Sequence, residues 1–99
     1  MVRHVLLWAF KDELTADEKC AAAKKIKAEL EALVGVVPGL THLEVVTNPM
    51  DSSNCDLMLD STLESPAAYD GYKVHPEHVA AATYVRSVVK SRVCMDFEF

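Results

Sequence analysis

The strongest constraint on the fold is the segment 2–10, a predicted β-strand that is apolar on both faces. Alternate side chains of a strand point to opposite faces. One face carries His4, Leu6, Trp8 and Phe10, and the other carries Val5, Leu7 and Ala9. A strand with two apolar faces is buried on both sides. The chain must therefore place this strand inside a sheet that is covered above and below.

The segment that follows is a helix with start and stop signals. Thr15 and Glu18 have the spacing of a capping box, in which each side chain bonds the backbone N–H of the other residue. Gly35 and Pro38-Gly39 end the helix. The apolar residues at helical spacing are Cys20, Ala23, Ile26 or Lys27, Leu30 and Leu33–Val34. We expect these residues to form the buried stripe of this helix.

The rest of the chain is predicted to contain three strands, a short helix and a longer helix that follows it. The patterns predict strands over 40–47, 56–63 and 93–99, and helices over 66–73 and 76–91. Ser65 is an N-cap residue followed by proline at the first helical position, and His75-Pro76 restarts the helix on a new axis. The predicted buried stripe of the later helix is Val79, Ala82, Val85 and Val89.

The element order predicts an α+β fold of the ferredoxin-like kind. The order β-α-β-β-α(α)-β with right-handed crossovers produces a four-stranded antiparallel sheet with its helices on one face. The other face would expose Val5, Leu7, Phe97 and Phe99, more apolar surface than soluble proteins leave uncovered. We expect a single domain over residues 1–99 that forms a homodimer through this sheet face.

Composition excludes several classes of function. The formal net charge is −5, which argues against nucleic acid or an anionic membrane surface as the partner. No segment reaches the roughly 20 apolar residues of a membrane span. Three widely spaced cysteines, Cys20, Cys55 and Cys94, suit reduced thiols in the cytoplasm better than a disulfide framework.

Several motifs resemble the stress-responsive A/B barrel domain, or Dabb, family. They are the opening residues 2–12, the turn Val37-Pro38-Gly39-Leu40, the segment 72–79 with its His-Pro-x-His-Val helix start, and Asp96-Phe97. The resemblance covers essentially the whole chain. It implies a ferredoxin-like protomer whose sheet packs on that of a twin to make a dimeric α/β barrel. The family includes plant stress proteins, uncharacterised bacterial proteins and a plant polyketide cyclase. The resemblance therefore implies the fold of this chain but does not imply one particular activity.

The candidate catalytic pair is His78 and Tyr72. A histidine is partly unprotonated near neutrality and can act as a general base towards a proton next to a carbonyl. A tyrosine can donate a hydrogen bond to the developing enolate. His75 lies three residues before His78 and can share its helix face. The alternative is structural: His75 caps the helix, and His78 bonds a backbone carbonyl.

The resemblance adds His4 and Trp8 to the ligand-binding candidates. His4 occupies the place of a histidine that lines the pocket of the cyclase. Trp8 is bulkier than the aliphatic residue expected there, and Ile26 replaces a pocket tyrosine. Ala80 and Ala82 replace glycines that widen the cyclase pocket. These departures predict a pocket too small for a large acyl chain, and we do not assign cyclase activity.

The remaining polar residues suggest structural roles. His75, Glu77 and His78 offer fewer ligands than a tight zinc site needs, so we expect neither a metal nor a cofactor. The cysteines are interpreted as small hydrophobic residues, because no base can be placed beside a nucleophilic Cys94. Asp60, in the middle of a strand, is expected to pair with Arg3 or with a lysine across the dimer, or to lie at the rim of the barrel.

Three functions remain open at this point. The first is a homodimeric barrel that binds a small-molecule ligand without catalysis. The second is an enzyme of the cyclase or lyase kind, acting on a small carbonyl compound through His78 and Tyr72. The third is a purely structural stress or assembly protein. A cavity beside His78 separates the first two from the third.

Overall fold

The computed structural model describes residues 1–99, which form four strands and three helices. The elements are β1 (Val2–Phe10), α1 (Ala16–Glu31), β2 (Leu40–Val46), β3 (Leu57–Leu63), α2 (Pro66–Val74), α3 (Pro76–Val88) and β4 (Val89–Glu98). The strands form one sheet in the order β2-β3-β1-β4, with every neighbouring pair antiparallel. The predicted ferredoxin-like α+β fold is confirmed, and the two-faced strand β1 lies inside the sheet.

The core lies between the three helices and one face of the sheet. The helix-facing residues of β1, including Leu6 and Trp8, are buried there together with Leu59 of β3 and Ile26 of α1. β4 lies at the edge of the sheet, and all its residues after Val89 are exposed. The helices therefore cover three strands well and leave the helix side of β4 open.

The boundary between α3 and β4 differs from the prediction. The helix ends at Val88 and the strand begins at Val89, four residues before the predicted start at Val93. Val89 pairs with Phe10 after a register shift in β1, and the backbone N–H of Lys11 donates to the carbonyl of Val88 at 3.0 Å. Residues 89–91, which were predicted to be helical, therefore pair as a strand, and the β-branched residues around them favour extended structure.

Two predicted buried stripes also need correction. Val79 is exposed and Val89 belongs to β4. Val85 is buried as predicted, and Ala81 rather than Ala82 is the other buried residue of α3. Cys20 lies at the edge of the α1 stripe and is exposed, as is Cys94. The prediction that Cys20 belongs to the buried stripe is wrong, because the packed face of α1 is centred on other positions: Ala22, Ala23, Ile26 and Leu30.

The predicted caps are present. The N–H of Glu18 donates to the hydroxyl of Thr15 at 3.1 Å, and the N–H of Thr15 donates to the carboxylate of Glu18 at 2.9 Å, which confirms the capping box. Ser65 accepts a hydrogen bond from the N–H of Ala68. Gly39 has φ +80°, and a Cβ there would lie 2.5 Å from that of Ala68, so only glycine fits this turn against α2.

The sheet face away from the helices carries one ion pair and an apolar row. Arg3 donates from Nε and Nη2 to the two carboxylate oxygens of Asp60 at 2.8 and 2.7 Å. Of the expected roles for Asp60, the structure shows pairing with Arg3 of the same chain. Met95 and Phe97 of β4 are 68% and 44% exposed on this face. None of the helices has the length and apolar character needed to cross a membrane.

Candidate functional site

A cavity of about 480 Å³ lies between α2, α3 and the helix side of β1 and β4. It exists because the helices stop short of the edge strand. Four of the five residues singled out from the sequence line it: His78, Tyr72, His4 and Trp8. Its volume lies within the range of about 300 to 1,000 Å³ that is typical of small-molecule sites.

Tyr72 lies at the centre of this arrangement. It is on α2, its side chain is 1% exposed, and no protein group accepts a hydrogen bond from its hydroxyl. Burial raises the pKa of Tyr72, so the hydroxyl keeps its proton. A buried donor without an acceptor is costly, and such groups are rare in folded proteins. This hydroxyl is available to a ligand that enters the cavity.

His78 packs directly against Tyr72, with ring centroids 4.0 Å apart. Its Nδ1 lies 3.3 Å from the carbonyl oxygen of Lys73. A carbonyl only accepts, so Nδ1 carries the hydrogen and Nε2 holds the lone pair. Burial lowers the pKa of His78 more than the bond to Lys73 raises it, so the ring is neutral near pH 7. The ring therefore has a free proton-accepting nitrogen beside a hydroxyl donor.

His75 does not join this site. It is the N-cap of α3, and its Nδ1 accepts a hydrogen bond from the N–H of Glu77 at 3.2 Å. The chain changes direction at Pro76, which separates His75 from the cavity side of the helix. The structure thus contains both backbone contacts of the structural alternative, the His75 cap and the His78–carbonyl bond, as well as a cavity beside His78.

His4 lies on the floor of the cavity in a second polar cluster. It is 3% exposed, and its Nδ1 hydrogen is donated to the carboxylate of Asp96. The hydroxyl of Tyr69 donates to the other oxygen of Asp96 at 2.9 Å and lies 3.2 Å from Nδ1 of His4. Burial lowers the pKa of His4 more than Asp96 raises it. The second ring nitrogen of His4 therefore also carries a lone pair.

Asp96 and Tyr69 were not identified from the sequence as site residues. Tyr69 precedes Tyr72 by three residues and so shares its helix face, a signal that was available. Asp96 was visible only as part of the family resemblance. Its place beside His4 follows from the β1–β4 register, in which the two residues are paired. Burial raises the pKa of Asp96, but the hydrogen bonds from His4 and Tyr69 outweigh that effect and lower it overall.

Cys94 of β4 lies beside His4 and Asp96 in the same polar cluster. Its sulfur lies 3.8 Å from Nδ1 of His4 and 3.4 Å from the carboxylate of Asp96, which the sequence alone did not place beside the thiol. Ligand atoms of these three residues lie within 4.8 Å of one another, close enough for a metal ion. Partial burial and the Asp96 carboxylate, however, raise the pKa of the Cys94 thiol. A protonated thiol is a poor metal ligand and a poor nucleophile.

The sequence matches the stress responsive A/B barrel domain over residues 2–99. The chain belongs to that family. The resemblance noted from its motifs is therefore confirmed. Among curated proteins, none matches this chain in sequence.

Solved structures of similar shape support the same fold. A dimeric protein of unknown function from Bacteroides fragilis is 30% identical, with a TM-score of 0.92 over 99% of this chain and 95% of that one. A dimeric ferredoxin-like protein of unknown function from Thermobifida fusca is 22% identical, with a TM-score of 0.83 over 99% and 90%. A hydroxynitrile lyase from Passiflora edulis is 17% identical, with a TM-score of 0.78 over 97% and 90%. These likenesses extend over nearly the full length of each chain.

Proposed function

We propose that this protein binds a small carbonyl compound in the cavity beside His78. The observation that carries the proposal is the buried hydroxyl of Tyr72, which has no acceptor in the protein. A carbonyl oxygen of the ligand would accept that hydrogen bond and offset the cost of burying the hydroxyl. Apolar side chains such as Leu6, Trp8 and Val85 would cover the rest of the ligand.

A second candidate, proton transfer on the bound carbonyl compound, is favoured by the contact between His78 and Tyr72. In this reaction Nε2 of His78 removes a proton from the carbon next to the carbonyl, and the C–H electron pair becomes the enolate. Tyr72 donates a hydrogen bond to the enolate oxygen. The enolate then takes a proton back or adds to a second carbonyl, as in cyclase and lyase chemistry. The hydroxynitrile lyase of similar shape indicates that this fold accommodates an enzyme.

We also propose that two copies pair through the sheet face away from the helices, as a dimeric α/β barrel. Met95 and Phe97 are exposed there beside the half-buried Val5 and Leu7. The dimeric proteins of similar shape support this assembly. The proposed location is the cytoplasm, which fits three cysteines that form no disulfide.

The test of binding uses the methyl ester of 4-oxopentanoate as a neutral probe. We expect the ester to shift the NMR signals of Tyr72 and His78, and Tyr72→Phe to weaken its binding. The same substitution should leave the free energy of unfolding unchanged or increased, because the lost hydroxyl had no partner. Absence of binding by the wild-type protein, or marked destabilisation by Tyr72→Phe, would contradict the proposal.

The test of catalysis follows the exchange of the protons next to the ketone in D₂O. We expect the wild-type protein to accelerate deuterium incorporation into the bound ester, and His78→Gln to abolish it. His42→Gln is the control, because His42 is exposed on β2 and is not part of the cavity lining. Binding without accelerated exchange would leave the protein as a binding module and exclude the second candidate.

A further inference from the structure

The charge of the cavity wall is opposite to that of the protein as a whole. The chain has 15 acidic and 10 basic residues, yet no acidic residue is part of the cavity lining. The carboxylate of Asp96, beside His4, already accepts hydrogen bonds from His4 and Tyr69. Four basic residues line the cavity: Lys73, Arg86, Lys90 and Arg92. A concentration of one sign of charge around a single concave site selects ligands of the opposite sign.

Two of these four charges already have acidic partners. Lys90 donates to Asp12 at 2.6 Å, and Lys73 forms an ion pair with Asp70 at 3.2 Å. These pairs neutralise the lysine side chains and reduce their attraction for a ligand. The two lysines therefore do not account for an anion site by themselves.

The two arginines, in contrast, have no acidic partner. Arg86 of α3 donates only to the hydroxyl of Thr83, at 3.3 Å, and Arg92 of β4 forms no ion pair. Arginine binds carboxylates and phosphates through parallel N–H groups and remains charged at all physiological pH values. One guanidinium comes from each wall of the cavity, and neither is neutralised by a carboxylate.

Arg92 lies on the same side of the sheet as the candidate catalytic pair, so its positive charge acts on Tyr72. Arg92 is paired with Trp8 in the β1–β4 register, which places it on the helix side of the sheet. This is the face opposite to the proposed dimer interface, so the second copy does not cover it. Burial raises the pKa of the Tyr72 hydroxyl, and the charge of Arg92 acts against that effect. The field of this guanidinium thus extends to the hydroxyl that would bind the carbonyl.

We propose that the ligand of this cavity is an anion, a carbonyl compound that also carries a carboxylate or a phosphate group held by Arg86 and Arg92. The inference rests on the proposed function, because it orients the ligand by its carbonyl at Tyr72 and its anionic group at the arginines. A ligand held at both ends would have its intervening carbon atoms beside His78.

The experiment compares 4-oxopentanoate with its methyl ester, which differs chiefly in charge. We expect the wild-type protein to bind the acid at least about tenfold more tightly than the ester. A factor of about ten in affinity is what one charge-assisted hydrogen-bonded pair contributes. Added NaCl should weaken binding of the acid and not of the ester. Arg92→Gln and Arg86→Gln should each bring the ratio of the affinities for acid and ester closer to one. Lys24→Gln, at an exposed position on α1, should leave this ratio unchanged.

Each outcome separates the two proposals. Equal affinity for acid and ester, without salt dependence, would overturn the anion site and leave carbonyl binding intact. Absence of binding by both compounds would overturn the proposed function itself. Inorganic phosphate is the competitor that distinguishes the anion: displacement of the acid by phosphate indicates a phosphate-type ligand, and bound acid that resists phosphate indicates a carboxylate. Because both arginines are exposed, melting curves of the variants should match that of the wild type.

Discussion

His4 and Asp96, which are 92 positions apart in the chain, are paired across β1 and β4 and joined by a hydrogen bond from Nδ1 to the carboxylate. The bond fixes which nitrogen of His4 carries the hydrogen and leaves the other as an acceptor. The hydroxyl of Tyr69, on α2, donates a second hydrogen bond to the carboxylate of Asp96. The cavity thus has one oriented histidine on its floor and another, His78, on its helical wall.

Asp96→Asn is expected to lower the pKa of His4 below its value in the wild-type protein. The Asp96 carboxylate stabilises the protonated imidazole, and the substitution removes that charge. The measurement is an NMR titration of the imidazole C–H signals. Glu98→Gln is the matched control, since it removes an equal charge from the same face of β4 without contacting His4. A pKa of His4 that is unchanged in Asp96→Asn would contradict the pairing.

The stability of the protein is expected to fall as the pH decreases from 7.5 to 5.5. Burial lowers the pKa of both His4 and His78 in the folded state. Below about pH 6.5, the ordinary value for histidine, the unfolded chain therefore binds more protons than the folded one. Stability is greatest above that pH and is lost below it.

Urea melts at fixed protein concentration measure this pH effect. His78→Gln should reduce the fall in the unfolding free energy, because one of the two buried imidazoles is gone. His42→Gln should preserve the full fall, since His42 is exposed. A wild-type unfolding free energy that is constant from pH 7.5 to 5.5 would show that neither ring resists protonation in the folded state.

Gly39→Ala should destabilise the protein more than Gly35→Ala. Both glycines have a positive φ, +80° and +88°, so alanine is strained at either position by about 1 to 2 kcal/mol. Only at Gly39 would the new Cβ also meet a neighbour, Ala68 of α2, at 2.5 Å. Denaturant melts of the two variants separate the clash from the strain. Equal losses of stability would mean that α2 moves away at little cost.

Met95→Glu should convert the proposed homodimer into a monomer. A buried, unpaired carboxylate in the sheet-to-sheet interface would cost several kcal/mol. Met50→Glu is the matched control, because Met50 is 77% exposed in the turn between β2 and β3. Light scattering at low micromolar concentration should give twice the chain mass for the wild type and for Met50→Glu, and a single chain mass for Met95→Glu. A monomeric wild-type protein would exclude the dimer.

The features that sequence reasoning predicted correctly depend on residues close together in the chain. Alternation in β1 follows from the two-residue repeat of a strand, and the start of α1 follows from Thr15 and Glu18 within one turn. The order of these elements was sufficient to predict the ferredoxin-like sheet, because few connections between such elements are allowed. Tyr72 and His78 could be proposed together because both belong to the short segment 72–79 that resembles the family and offer a base and a hydroxyl donor.

The tertiary structure decided what depends on contacts between distant segments. Pairing with Phe10 ends α3 at Val88 and starts β4 early, although the local pattern continued the helix. The same register brings Asp96 to His4 and Arg92 to the cavity beside Trp8. A shift of one residue in this pairing would turn Asp96 and Arg92 to the opposite face. The sequence by itself determined the elements and their order, and the register of β1 with β4 decided which charges face the cavity.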